Sequence, residues 1–204
     1  MIVTDIIPLD KKRSRIYVDH EFAFVLYKGE FKEYGISLNS EIKESSYNEI
    51  LSKLLPKRAK LRGMALLTKK PYTEKQLRDK YAQGEYPESA VNEAIDYLKG
   101  YGYIDDVKYC LDFFETYRNQ RSLMRMKNDL SGKGISSSDL KKAIVTFEES
   151  EDGGVDEEAQ IIKFLSKKHF NPEECTYEEK QKLMASLMRK GYSFDAIEKS
   201  MRNI

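Results

Sequence analysis

The chain contains no tryptophan and, in 204 residues, only two cysteines and two histidines. Cys110 and Cys175 share no CxxC spacing and have no histidine close by, which argues against a zinc site or a redox motif and leaves two small, reduced hydrophobes. His20 and His169 stand far apart, so a catalytic triad or a His-rich metal site has little to draw on. No apolar run approaches the roughly 20 residues that span a bilayer, and Met1 to Leu9 lacks the basic start and apolar core of a secretory signal. No membrane contact is expected, and the expected location is cytoplasmic. Lys and Arg number 35 against 34 Asp and Glu, a net of +1, so no overall field draws the chain to nucleic acid or membrane. Catalytic motifs are missing as well: there is no phosphate-binding Gly-rich loop, GxGxxG, HExxH or GxSxG. Asp105-Asp106 is the one tempting acidic pair, and it reads better as the start of a helix, whose exposed N–H groups favour Asp, than as a metal site. The chain is therefore expected to bind or regulate, not to catalyse, with no cofactor.

What the chain does hold is internal repetition. Aligning Leu77, Met126 and Leu183 places Tyr81, Leu130 and Leu187 four residues on, and Tyr86, Ile135 and Tyr192 nine on. Val91, Leu140 and Ile197 follow at fourteen, Ile95, Ile144 and Met201 at eighteen, and Leu98, Phe147 and Ile204 at twenty-one. Steps of four and three follow a helical period, while the steps of five break it at Gly84, Gly134 and Gly191. The frame reads as helix, turn, helix, three times over. Units this small cannot bury an apolar face alone, so they are expected to stack into an elongated array.

The fold class expected is mainly α, with tandem three-helix, helix-turn-helix-like repeats behind a small β-rich segment. The segment covers residues 1–44: Ile2 to Leu9, Arg15 to Asp19, Phe22 to Tyr27 and Glu30 to Tyr34 are rich in β-branched and aromatic residues. Ile16, Val18, Phe22, Phe24 and Leu26 alternate, which would bury one face of a meander or pair of hairpins. Ser45 or Ser46 is a candidate cap where the helical pattern begins. Residues 45–104 hold a linker helix and the first repeat, whose opening helix, about Pro56 to Lys70, carries Leu61, Ala65 and Leu66 inward. Thr73 with Gln76 makes a capping box for its second helix, and Pro87 suits the start of the third. The second repeat spans 105–150, with Ser136 to Ser138 as a cap region. The third spans 157–204, with Ile161, Phe164 and Leu165 on its first helix, a break at Asn171-Pro172 and a box of Thr176 with Glu179. Between them, Glu148 to Glu158 holds seven acids and no base, and 151–156 reads as a solvated linker.

Charge is segregated along the chain. Lys57 to Lys80 carries nine bases against two acids, a local +7, and Arg118 to Lys142 seven against two, a local +5. Lys57, Arg58, Lys60 and Arg62 crowd into under two turns. Arg118, Arg121 and Arg125 recur at helical steps and share a face if their helix is unbroken; Ser122 as a new cap would split the row. Solvated helix faces explain these bases as well as a stripe for phosphate or an acidic partner does. Most of the 14 tyrosines fall on frame positions and belong to the core; Tyr72, Tyr101 and Tyr103 lie at turns, where they face water or stack on a base or partner ring.

Ala94-Ile95-Asp96-Tyr97-Leu98, then Gly102-Tyr103-Ile104-Asp105-Asp106, a helix with Arg118, Leu130 and Lys133-Gly134-Ile135 closely resemble the central signature of the RecX regulators of bacterial recombination. The ending Leu187-Met188-Arg189-Lys190-Gly191-Tyr192 with Ile197 is similar to that family's last repeat, and the likeness runs from about Ala59 to Ile204. In the first repeat Gly84-Glu85 stands where the other two carry Lys-Gly. The resemblance implies a non-enzymatic modulator of RecA in DNA repair, recombination and the SOS response, which binds RecA filaments on single-stranded DNA and restrains strand exchange and ATP hydrolysis. Expected partners are the RecA filament and single-stranded or duplex DNA, with the chain a monomer. The contact set expected from clustering is Lys57, Arg58, Lys60, Arg62, Arg118, Arg121, Arg125 and Lys127. Two other classes stay open: a helix-turn-helix transcriptional reader, against which the acids on the third helices argue, and a protein adaptor without nucleic-acid contact.

Overall fold

Two left-handed residues in a row, Asp19 (φ 50°) and His20 (φ 71°), supply the two-residue turn that joins the second strand to the third. The computed structural model describes residues 1–150 and 153–204. The strands are β1 (Val3–Pro8), β2 (Arg13–Val18) and β3 (Glu21–Tyr27), an antiparallel meander in the order β1-β2-β3. Ile16, Val18, Phe24 and Leu26 are buried as the alternation requires, but Phe22 is 45% exposed. The register explains it: Ile16 pairs with Phe24 and Tyr17 with Phe22, so Ala23 is an extra residue and the bulge turns Phe22 to the other face. There its ring meets Tyr17 edge-on, centroids 5.8 Å apart.

Glu30 to Tyr34 is helical, not a strand. Glu30 accepts from the Tyr27 N–H at 2.8 Å and so boxes in a 3-10 turn at Lys28–Glu30, from which α1 (Phe31–Tyr34) continues. Then comes α2 (Glu44–Glu49), capped at Lys43 instead of Ser45 or Ser46, a π-helical turn at Ile50–Leu54, and α3 (Leu55–Leu67). The sheet packs Val3, Ile16, Phe24 and Leu26 against Ile36, Ile42, Ile50 and Leu55.

The first repeat consists of α3 with α4 (Glu74–Gln83) and α5 (Glu88–Gly100) around Ala59, Leu77, Tyr81, Val91, Ile95 and Leu98. Its inward stripe on α3 is Leu55, Ala59 and Gly63, while Leu61 is 58% exposed and Ala65 also faces out. The reason is Tyr81. Its hydroxyl donates to the Ala59 carbonyl at 2.9 Å, and a side chain at Gly63 would run into that hydroxyl and come within 2.5 Å of Leu98 Cδ1. One large ring thus fills the space that small residues leave.

These elements form one compact unit, Met1–Asp105; a second comprises Asp106–Ile204. The second unit holds α6 (Asp106–Tyr117), α7 (Leu123–Gly132) and α8 (Ser137–Glu149) around Phe114, Met126, Leu130 and Phe147. It continues with α9 (Glu157–Lys167), α10 (Tyr177–Arg189) and α11 (Phe194–Arg202) around Ile161, Leu165, Leu187 and Ile197. Of the frame positions only Ile204 is exposed. Helix starts follow the capping chemistry: Thr73 with Gln76 and Thr176 with Glu179 form complete boxes, and Ser122, Ser136, Asp156 and Ser193 each accept a backbone N–H. In the expected acidic linker, Glu151 and Asp152 lie outside the described residues. Its end is structural: Asp156 caps α9 through Ala159 N at 2.9 Å.

Candidate functional site

Ser122 splits the expected row of arginines. α6 ends at Tyr117, the chain turns, and the Ser122 hydroxyl accepts from Arg125 N to open α7. Arg118, Arg121 and Arg125 therefore do not share one helical face. Arg118 pairs with Glu115 at 3.2 Å, lies over the Phe147 ring, and gives its carbonyl to Gln160 Nε2 at 2.7 Å. It belongs to the packing of the second unit.

Arg121 and Arg125 are brought together by another route. Asp129, one turn along α7 from Arg125, accepts from Arg121 Nη1 at 2.7 Å and lies 3.2 Å from Arg125 Nε. Arg121 is also laid over the Tyr117 ring, 4.0 Å from its centroid, which fixes the guanidinium as a plate. Both then meet the end of α10. Ser122 Oγ donates to the Lys190 carbonyl at 2.8 Å, and Gly191, at φ +92°, has its Cα so near α7 that an added Cβ would lie 2.7 Å from that oxygen. Glu157 accepts from Leu123 N at 2.9 Å, and Tyr192 donates to Gln160 Oε1 at 2.7 Å. Burial, aided by the charge of Glu157, pushes the Tyr192 hydroxyl above its ordinary pKa, so it stays a donor.

This polar seam closes a cleft of about 360 Å³ lined by Gln120, Arg121, Ser122, Arg125, Arg189, Lys190 and Tyr192. Four bases face it, and Asp129 is the carboxylate that binds two of them, which leaves a local charge of three. Exposed guanidinium forks beside an ammonium suit phosphate or carboxylate oxygens. Arg189 and Lys190 were missed as site residues by sequence reasoning because they lie 67 and 68 residues from Ser122, though the repeated Lys-Gly of Lys133-Gly134 and Lys190-Gly191 was a signal for the turn that carries them. Lys127 sits two residues, about 200°, round α7 from Arg125 and does not line this cleft.

The other expected contacts lie in the first unit. Arg58 is spent on the fold: its side chain, 16% exposed, pairs with Glu30 at 2.5 Å, donates to the Val25 carbonyl at 3.1 Å and covers the Tyr27 ring. Lys60 pairs with Glu93 at 2.7 Å over the Tyr97 ring. Lys57 and Arg62 are exposed. Of the four expected contacts in the first unit, two are thus engaged by carboxylates within it. Among the described residues no group of three or more His, Cys, Asp or Glu side chains is set to hold a metal, and no helix is long and apolar enough to cross a membrane.

Comparison with known proteins gives two family models, described as the first three-helix domain of RecX, matching residues 59–98, and the third three-helix domain of RecX, matching 156–201. A regulatory protein RecX from Clostridium botulinum is 30% identical over 198 residues, covering 92% of this chain and 88% of its own. One from Caldanaerobacter subterraneus subsp. tengcongensis is 29% identical over 203 residues, covering 98% of both. Among solved structures, a crystal structure of regulatory protein RecX superposes with a TM-score of 0.62 at 22% identity over 97% of both chains. RecX from Lactobacillus salivarius gives 0.63 at 21% identity over 73% of this chain and 96% of that one. Those two structures carry the likeness of fold.

Proposed function

Because the chain belongs to the RecX family of regulatory proteins, we propose that it is a non-enzymatic regulator of the RecA recombinase, acting as a cytoplasmic monomer in DNA repair and recombination. In this reading it docks on RecA filaments formed on single-stranded DNA and lowers their ATP hydrolysis and strand exchange. The observation that carries the reading is the cleft between α7 and α10, which Arg121, Arg125, Arg189 and Lys190 line together, the first two sharing the carboxylate of Asp129. An acidic RecA surface or the strand's own phosphates would complete that charge. Many such contacts along a repeating filament add through effective concentration, so each can be weak. Lys57, Arg62 and Lys127 remain available as further contacts, whereas Arg58, Lys60 and Arg118 act through the fold.

The test is RecA's ATPase on single-stranded DNA with substoichiometric protein, comparing native chain with the Arg121→Gln, Arg125→Gln, Arg189→Gln, Lys190→Gln variant. Native protein should inhibit, and the variant should need at least about tenfold more, since loss of several charge contacts of about 1 kcal/mol each removes that much affinity. No effect of native protein on a verified filament, or equal inhibition by both, would overturn the reading.

A further inference from the structure

A second basic cleft lies wholly within the first unit, and the β-rich segment builds one wall of it. Asp10 Oδ1 accepts from the N–H groups of Lys12 and Arg13, each at 2.8 Å, and its Oδ2 accepts from Arg13 Nε at 2.7 Å. Those bonds, the Lys12 N–H first, hold its carboxyl near a pKa of about 2 and fix the β1–β2 turn at neutral pH. The turn presents Lys11 and Lys12 to a cavity of about 720 Å³ whose far side carries Arg62 from α3 and Lys80 from α4, with Tyr27 between. Five bases line it with Arg13 included, against the single carboxylate of Asp10.

The pairing pattern separates this cleft from its surroundings. Two arginines next to it, Arg15 and Arg58, are matched by Glu85 and Glu30. Arg13 is matched by Asp10. Lys11, Lys12, Arg62 and Lys80 make no ion pair among the described residues; Lys80 reaches only the neutral Gln83 at 3.1 Å. Four unmatched cations around one concavity repel one another, and a polyanion relieves that repulsion while releasing its own counterions. Tyr27, 40% exposed, carries Arg58 over one face of its ring and brings its exposed part to the cleft, an aromatic edge for a base that an acidic peptide does not use.

We propose that this cleft binds the phosphate backbone of single-stranded nucleic acid, with Lys11, Lys12, Arg62 and Lys80 on phosphates and Tyr27 against a base. The β-rich segment is then a working part of the molecule, and the binding needs neither RecA nor the cleft of the second unit.

Anisotropy of a short labelled oligothymidylate with the full chain, without RecA, tests it. The Lys11→Gln, Lys12→Gln, Arg62→Gln, Lys80→Gln variant should bind more than about tenfold more weakly near 0.1 M salt, and its slope of log affinity on log salt should shrink by about 3, at roughly 0.7 for each phosphate contact. Lys11→Gln with Lys12→Gln alone, at the exposed turn, should remove about half of that slope, and the charge-keeping set Lys11→Arg, Lys12→Arg, Arg62→Lys, Lys80→Arg should bind like the native chain. Native-like affinity and slope in the neutralised variants would overturn the proposal. So would tighter binding of a duplex of equal phosphate count, or of polyglutamate, than of the single strand.

Discussion

Replacing Gly191 by alanine attacks the seam that places Arg189 and Lys190 beside Arg121 and Arg125. The residue sits at φ +92°, where a side chain costs about 1–2 kcal/mol. The new Cβ would stand 2.7 Å from Ser122 Oγ, 3.1 Å from Arg125 N and 3.4 Å from Met124 Cβ. The first of these contacts displaces the Ser122 hydroxyl, which both caps α7 and donates to the Lys190 carbonyl, and losing that second bond costs about 1 kcal/mol. The sum is about 2–3 kcal/mol. For the unit Asp106–Ile204, 204 − 105 = 99 residues, about 4–8 °C is lost per kcal/mol, so its melting point should fall by roughly 8–24 °C. Thermal melts by circular dichroism, with hydrogen exchange at Leu130 and Leu187 to locate the transition, give the readout. Gly132→Ala is the control: it lies in α7 with nothing within 4 Å of an added Cβ, and should be neutral or stabilise by about 0.5–1 kcal/mol. A Gly191→Ala protein that melts within about 3 °C of native, or no lower than Gly132→Ala, would refute the geometric argument.

In the first unit, Gly63→Ala should cost about 1–3 kcal/mol by overpacking against Tyr81 and Leu98, and Tyr81→Phe about 1 kcal/mol through the bond to Ala59. A double-mutant cycle by urea unfolding should show the glycine change cheaper in the Tyr81→Phe background, and additivity would count against the shared space. Asp10, Glu85, Glu158 and Glu179 are all held below their ordinary carboxylate pKa by hydrogen bonds: Asp10 chiefly by Lys12 N–H, Glu85 by Arg15, Glu158 by Lys199, Glu179 by the Thr176 hydroxyl. A lowered folded pKa means stability that is present above the unfolded value and lost as pH falls through the folded one, for Asp10 between about 4 and about 2. Stability measured against pH should therefore fall on acidification, and Glu179→Gln, which keeps the capping box as Gln76 does, should flatten part of that slope. An unchanged slope in that variant would sink the assignment.

The repeat frame was legible because its apolar steps are local, and the two capping boxes because each spans four residues. The misreadings share a cause. Leu61 looked like core by hydrophobicity, but the inward face of α3 is made of Ala59 and Gly63 because Tyr81, 22 residues from Ala59, occupies the space. Phe22 followed the alternation until one extra residue, Ala23, turned it over. In each case a distant partner or an inserted residue overrode a local period. The first repeat shows the reverse. Glu85 aligns in sequence with Gly134 and Gly191 and takes the same left-handed position, φ 56°, although it carries a side chain, and its carboxylate is tied to Arg15 Nε at 2.7 Å across 70 residues. The Gly84-Glu85 departure was visible; the arginine that makes it tolerable was not.

Charge follows the same rule, with consequences for function. Of the nine bases from Lys57 to Lys80, Arg58, Lys60, Lys75 and Arg78 are matched by carboxylates, and from Arg118 to Lys142 so are Arg118, Arg121, Arg125 and Lys142. Local sums of +7 and +5 therefore overstate what those stretches offer a partner. Meanwhile Lys11, Lys12, Arg189 and Lys190 fall outside both stretches and line the two clefts. Matching is a matter of distance in space: at physiological ionic strength a charge is felt over about 8 Å, so only cations gathered into one concavity act as a single field. A chain of net charge +1 can thus carry an anion site in each unit while exerting no general pull on polyanions. Binding through such sites is selective for ligands that enter the cleft, and its loss with salt counts the phosphates engaged there, not the formal charge of the protein.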